Sequence, residues 1–120
     1  MGQRAPKYDS RLIGTWQSDR RRTFMHFKPK WGCPPQNLRK LKAMFGKLVI
    51  RWGRGRCHTE LDGYCDSDTY EVIARDTSSV VIRYRDGITE MDRIQHIHFE
   101  ENDYWIAVSG RLIEWFRRVE

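Results

Sequence analysis

Histidine and cysteine side chains are the residues of this chain that could do chemistry, and they fall in three regions of the sequence. His96 and His98 are separated by one residue, so on a strand both imidazoles would project from the same face. Such a pair could share a metal ion with a third ligand, for which the chain offers His26, Cys57 and His58. Histidine pairs at this spacing more often form ordinary hydrogen bonds or face solvent. We therefore predict no metal site.

Cys57 and His58 are adjacent and could suggest a thiol nucleophile with its base. Neighbouring residues on a strand point to opposite faces, which separates the two side chains. Among the carboxylates, Glu114 lies between Ile113 and Trp115, and we expect it to face solvent as a cross-strand partner of an arginine. The sequence predicts no catalytic residue and no cofactor. Enzyme activity is left open, and its absence is favoured.

Three cysteines, Cys33, Cys57 and Cys65, cannot form a complete set of intramolecular disulfides. Reduced thiols are the simpler interpretation, and a Cys57 to Cys65 bridge is the alternative if the protein is exported. No apolar run in the sequence is long enough to span a bilayer, and the first eight residues contain no secretory signal. We expect a soluble, cytoplasmic protein.

Charge is distributed unevenly along the 120 residues, whose formal net charge is +6. Residues 1–56 contain fifteen Lys and Arg against two acids, and residues 57–120 contain seven Arg against fourteen acids. This asymmetry could indicate an anionic partner, although a barrel would also bring the two halves together as cross-strand pairs, which we favour. Because aromatic residues interleave with the basic ones, binding of single-stranded nucleic acid is an alternative function. The aromatics concerned are Phe24, Phe27, Trp31 and Trp52.

Alternating apolar and polar residues separated by turn signals predict a mainly β fold of about nine strands in an antiparallel meander. Leu38, Leu41 and Phe45 recur at helical spacing before Gly46, which predicts one short helix over 35–45 as a barrel end cap. We expect residues 1–10 to be a flexible tail, 11–120 a single barrel domain, and Asp66 to Asp68 a turn. The predicted strands span residues 11–18, 23–27, 47–52, 56–61, 70–74, 80–84, 88–99, 104–108 and 112–119.

Gly14-Thr15-Trp16 on the first strand, with Arg117 and Arg118 at the end of the last, resembles the lipocalin-like members of the calycin superfamily. The resemblance implies a closed β-barrel in which the Trp16 indole packs at one end beneath Arg117 or Arg118. It covers the whole chain in topology but only these few residues in motif. The position of the predicted helix departs from the usual patterns of the family. The residues that follow Trp16 do not match those of the haem-carrying barrels of the superfamily, so we do not expect a haem carrier.

The barrel interpretation leads to a prediction of function, which is non-enzymatic binding of a small, mainly apolar ligand, with an anionic group as one option. Arg51 or Arg83 reaching inward could then meet a carboxylate. The alternatives are a basic-face module for single-stranded nucleic acid or another anionic partner, and a filled barrel that serves as a protein-interaction scaffold. The sequence does not predict an oligomeric state. The candidate ligand-binding residues are Phe24, Arg51, Trp52, Tyr70, Arg83 and Tyr84.

Overall fold

Eight strands form a closed antiparallel barrel in the computed structural model of the chain, which describes residues 7–25, 39, 43, 45–85, 90–109 and 112–120. Consecutive strands pair in order, and β1 pairs with β8 to close the sheet. Each described strand therefore has a hydrogen-bonded neighbour on both sides, which reduces the edge available for edge-to-edge association. The elements are β1 (Gly14–Ser18), α1 (Arg20–Met25), β2 (Val49–Trp52), β3 (Arg56–Leu61), β4 (Tyr64–Arg75), β5 (Ser79–Arg85), β6 (Asp92–Glu100), β7 (Asp103–Ser109) and β8 (Leu112–Arg118).

The predicted meander barrel is confirmed, with corrections to its parts. There are eight strands where about nine were predicted, and β4 runs through Asp66 to Asp68, which were predicted as a turn. The turn signal was misleading because the acids at 66 and 68 share one face of the strand while the intervening serine occupies the other. β3 has the predicted bounds. The predicted strand over 11–18 begins only at Gly14.

Residues 20–25 form helix α1, so the predicted strand over 23–27 is wrong for its described part. Asp19 caps the helix, since its Oδ1 accepts the Arg22 backbone N–H at 3.0 Å and its carbonyl accepts that of Thr23. Thr23 is buried, and its Oγ1 accepts the Trp115 backbone N–H at 3.0 Å, which ties α1 to β8. The hydroxyl of Thr23 and the capping carboxylate of Asp19 thus stabilise a helix where the alternation of side chains predicted a strand.

Most of the predicted helix over 35–45 lies outside the described residues. Arg39 and Ala43 are described, and both are helical. Gly46 has a φ of 92°, a left-handed conformation that suits the glycine expected after a helix end.

One end of the barrel is filled by the residues that precede β1. Leu12 is fully buried and Asp9 is 4% exposed, and the carbonyl of Lys7 accepts the Val72 backbone N–H at 2.7 Å. Tyr8 also packs against the core, so Tyr8 and Asp9 of the segment predicted as a tail contact the barrel. Asp9 is held by Arg11, whose guanidinium donates to both carboxylate oxygens, and this hydrogen bonding lowers the pKa of Asp9.

The same end contains Trp16 under an arginine, and that arginine is Arg118. Its guanidinium carbon lies 4.3 Å from the centre of the indole and its two terminal nitrogens donate to the carbonyls of Ile13 and Arg11, each at 2.7 Å. The indole Nε1 donates to the carbonyl of Leu12 at 2.9 Å. Gly14 has a φ of 136°, and a Cβ there would lie 2.4 Å from Arg118 Nη1, so only glycine fits.

Candidate functional site

A cavity of about 230 Å³ lies inside the barrel. Its wall is mainly apolar because the inward faces of β2, β5, β6 and β7 and the residue before β2 supply aliphatic and aromatic side chains to it, while β3 and β4 contribute polar ones. The lining residues are Leu48, Ile50, Trp52, Cys57, Thr59, Asp68, Ile82, Tyr84, Gln95, Ile97, Tyr104 and Ile106.

The floor of the cavity is a set of packed aromatic rings. Tyr104 is buried and stacks on Phe116 with ring centroids 4.8 Å apart, while Trp16 lies 4.7 Å away. Trp52 Nε1 donates to the Tyr104 hydroxyl oxygen at 3.2 Å, and Tyr70 meets the Trp52 ring edge-on at 5.0 Å. Burial raises the pKa of Tyr104, so its hydroxyl stays protonated. The floor is therefore rigid and uncharged.

Four polar groups, Cys57, Thr59, Asp68 and Gln95, interrupt the apolar wall. Burial, helped by the negative charges of Asp68 and Asp66, raises the pKa of Cys57 to about 11. The thiol is thus protonated at neutral pH and is a poor nucleophile. Cys57 and Cys65 are both free, so the alternative of a disulfide between them is wrong.

Glu114 is a second inward acid, and the expectation that it faces solvent is wrong. It is 6% exposed, and Ser18 donates a hydrogen bond to its Oε2 at 2.7 Å. Ser18 in turn accepts the Gly46 backbone N–H at 3.1 Å. Burial raises the pKa of Glu114, so the interior favours its neutral form.

The structure brings some of the predicted ligand-binding residues together at the cavity and leaves the others outside it. Trp52 and Tyr84 line the cavity, and Tyr70 supports Trp52 from behind. Phe24 lies on α1 and packs edge-on against Phe45 at 5.4 Å, away from the barrel wall of the cavity.

Arg51 and Arg83 are exposed, and the expectation that either reaches inward is wrong. Their neighbours along the strand, Trp52 on β2 and Ile82 on β5, occupy the inward positions. Alternation then directs both arginines to the outer face. Arg83 forms an ion pair there with Glu71.

Sequence reasoning missed the four polar groups of the wall. Cys57 and Thr59 share a face of β3 and are paired with Asp68 and Asp66 on β4. Because the two acids were assigned to a turn, this pairing was not predicted.

A second, more open cleft of about 580 Å³ lies outside the barrel beside the start of α1. Four of its lining residues are cationic, namely Arg20, Arg21, Lys47 and Arg117. Its acid, Asp19, already accepts hydrogen bonds from the helix backbone. Of the aromatics expected to stack on bases, Trp52 is inside the barrel and Phe24 packs on Phe45, while Phe27 and Trp31 lie outside the described residues.

His96 and His98 lie on the outer face of β6 and their rings are 3.9 Å apart. His98 also stacks on Trp105 at 3.8 Å, and His96 Nε2 is 2.8 Å from the hydroxyl of Ser79. Burial, with the charge of His96 adding to it, lowers the pKa of His98. Cys57 faces the interior, so it cannot complete a metal set with this pair.

Comparisons with protein-family models, with curated proteins and with solved structures found no match to this chain. In the part of the chain that the structure describes, no helix has the length and apolar character needed to cross a bilayer.

Proposed function

We propose that this protein is a non-enzymatic binder that holds one small, mainly apolar molecule in the barrel cavity. The observation that supports it best is the cavity itself, an apolar space with a few convergent polar groups, which is the usual form of a small-molecule site. The Gly14, Trp16 and Arg118 arrangement supports a lipocalin-like relationship, because it reproduces the barrel-end contact that the resemblance implies.

The volume of the cavity sets the size of the ligand. About 230 Å³ is below the range of roughly 300–1,000 Å³ that holds drug-sized molecules. A dry cavity of about 150 Å³ accommodates benzene. A single substituted ring or a short branched chain is therefore the size class that fits.

The charge of the wall sets the polarity of the ligand. Asp68 is the acid of the lining, and none of the described lining residues is Lys or Arg. A carboxylate in a low-dielectric wall attracts a cation and repels an anion more strongly than it would in water. We therefore favour a neutral or amine-bearing ligand over the anionic option that the sequence suggested.

Three ligands of nearly equal shape test this proposal, namely toluene, benzylamine and benzoate. Ligand-observed NMR with calorimetry on the full chain should give the order benzylamine, then toluene, then benzoate as the weakest. Replacing Asp68 with Asn should weaken benzylamine about tenfold, or about 1.4 kcal/mol, and leave toluene unchanged.

A matched pair of variants locates the binding. Ile106→Trp should fill the cavity and abolish binding, whereas Ile113→Trp adds the same bulk to the outer face, where Ile113 is 41% exposed, and should not. Equal effects of the two variants, or no binding of any of the three ligands, would overturn the proposal.

The second candidate function is binding of an anionic partner in the outer cleft, favoured by its four cationic side chains. Phosphate contacts alone would make such binding strongly dependent on salt. The double variant Arg20→Glu, Arg21→Glu should abolish retention of single-stranded DNA at low ionic strength, and the same substitution at the exposed Arg85 should not. Failure of the unmodified chain to bind would remove this candidate.

A further inference from the structure

Three potential metal ligands of different types converge on the outer face of the β3–β4 hairpin. The nearest ligand atoms of His58, Glu60 and Cys65 all lie within 4.8 Å of one another. His58 is half-buried and the other two are exposed, so an ion could reach the cluster from solvent. Among the described residues, this is the one group of three His, Cys, Asp or Glu side chains whose ligand atoms lie that close together.

The strand pairing explains why these residues meet. His58 and Glu60 are two apart on β3 and share its outer face, while Cys57 and Thr59 take the inner one. Glu60 is directly opposite Cys65 on β4, and paired residues of an antiparallel ladder project on the same side. The register of one hairpin thus holds all three side chains in place.

Two contacts support a role of the cluster as a ligand set. His58 Nε2 is 3.3 Å from Glu60 Oε1, close to the roughly 3.3–3.8 Å that separates two ligand atoms around a tetrahedral zinc ion. His58 Nδ1 is 2.8 Å from the hydroxyl of Ser67, its partner across the strands. When Nδ1 donates to that hydroxyl, Nε2 carries the lone pair and faces Glu60 and Cys65, which is how outer hydrogen bonds orient metal-binding histidines.

We propose that His58, Glu60 and Cys65 bind a zinc ion, with water as the fourth ligand. Imidazole nitrogen and thiolate sulfur are ligands that zinc accepts and that magnesium and calcium avoid. Cys65 binds as the thiolate, so its S–H proton passes to solvent as the sulfur–zinc bond forms, and no electron is transferred. The carboxylate and the thiolate together balance the charge of the ion.

Arg51 is a positively charged neighbour of the proposed zinc site. It lies directly opposite His58 on β2 and shares the outer face. Its side chain is exposed, so it can turn into solvent when the ion binds. Its charge should nevertheless weaken zinc binding, which gives a variant expected to act in the opposite direction from the ligand variants.

The site is separate from the cavity, because its ligands occupy the outer face of the hairpin. Cys57 provides the matched control for Cys65, since the two cysteines lie on opposite faces of the same strand pair. His96, on the outer face of β6, provides the control for His58. Cys33 lies outside the described residues. The variant Cys33→Ser is the control for its thiol in the titration.

Cobalt(II) titration followed by zinc displacement tests the proposal on the full chain. We expect one equivalent of cobalt to give the near-ultraviolet sulfur-to-cobalt absorption and visible bands of tetrahedral geometry, and zinc to remove both. Cys65→Ser should abolish the sulfur band, and His58→Ala should weaken zinc binding by at least ~100-fold. Ser67→Ala should weaken it about tenfold as the loss of an orienting partner, and Arg51→Ala should tighten it about threefold.

The controls Cys57→Ser, His96→Ala and Cys33→Ser should leave the titration unchanged. All ligand substitutions lie on an outer surface, and circular dichroism of each variant establishes that it is folded. Absence of the sulfur band from the unmodified chain, or its persistence in Cys65→Ser, would overturn the proposal.

Discussion

Replacing Arg118 with Met should weaken the barrel much more than the same change at Arg117. The two residues are adjacent on β8, and both are exposed. Arg118 lies over the Trp16 ring and donates to two carbonyls of the segment before β1. Arg117 points to the outer face, and its guanidinium donates a long hydrogen bond of 3.4 Å to Gln17 Oε1.

The magnitude follows from the contacts that are lost. A hydrogen bond from a charged donor contributes about 1.5–3 kcal/mol when buried, which we reduce to about 1 kcal/mol for each of the two Arg118 bonds because the side chain is partly solvated. A cation over an indole at such a site adds about 0.5–1 kcal/mol. Methionine keeps an apolar chain over Trp16, so packing is largely retained. The expected loss for Arg118→Met is about 2–3 kcal/mol.

Urea denaturation followed by tryptophan fluorescence measures this loss. With a denaturant dependence of about 1–3 kcal/mol per molar urea, the midpoint of Arg118→Met should fall by about 1 M. Arg117→Met should stay within about 0.5 kcal/mol of the unmodified chain. Arg118→Lys should fall between them, because an ammonium keeps the charge but cannot reach both carbonyls in the same geometry.

Equal losses in the two methionine variants would refute this reasoning. So would a loss below about 0.5 kcal/mol for Arg118→Met, the range of ordinary surface substitutions. Either result would mean that the segment before β1 is held by the burial of Leu12 and Asp9 and not by the arginine.

Two further predictions concern the buried acid and the buried thiol. Burial raises the pKa of Glu114 above its usual 4.5, so as pH rises from that value the unfolded carboxyl loses its proton first and the stability of the folded state falls. Glu114→Gln should therefore gain stability relative to the unmodified chain between pH 4.5 and 8, measured by urea denaturation, and a constant difference would contradict this. With a pKa of about 11, Cys57 should react with iodoacetamide at neutral pH at least ~100-fold more slowly than exposed Cys65, measured by mass spectrometry in Cys33→Ser; similar rates would contradict its burial.

The strands could be predicted because their inward faces are apolar and their turns contain glycine and polar residues. β3 was predicted with its observed bounds, and most other strands within a few residues. α1 was also readable, since Asp19 precedes three good helix formers, but the alternation of Phe24 with its neighbours was interpreted as a strand. Local patterns were in conflict there, and contacts with β8 and the loop before β2 decided between them.

The direction of individual side chains could not be predicted, because a shift of one residue in register reverses every face. Glu114 was expected to face solvent, and the structure places it inside the barrel, with its neighbour Trp115 turned outward. The outward position of Trp115 is explained by Arg22, whose guanidinium carbon lies 3.5 Å from the centre of its ring. Ser18 on β1 supplies the hydrogen bond that lets Glu114 face inward.

The sequence by itself determined that this chain forms an antiparallel meander of short strands, because alternation and turn residues act over short distances along the chain. Only the tertiary structure decided which side chains line the interior and which meet on the outer face. The cavity wall, the choice of Arg118 over Arg117, and the meeting of His58 with Cys65 all depend on which residues pair across strands. That register is set by the closure of the whole sheet, since the last strand must meet the first with its apolar face inward.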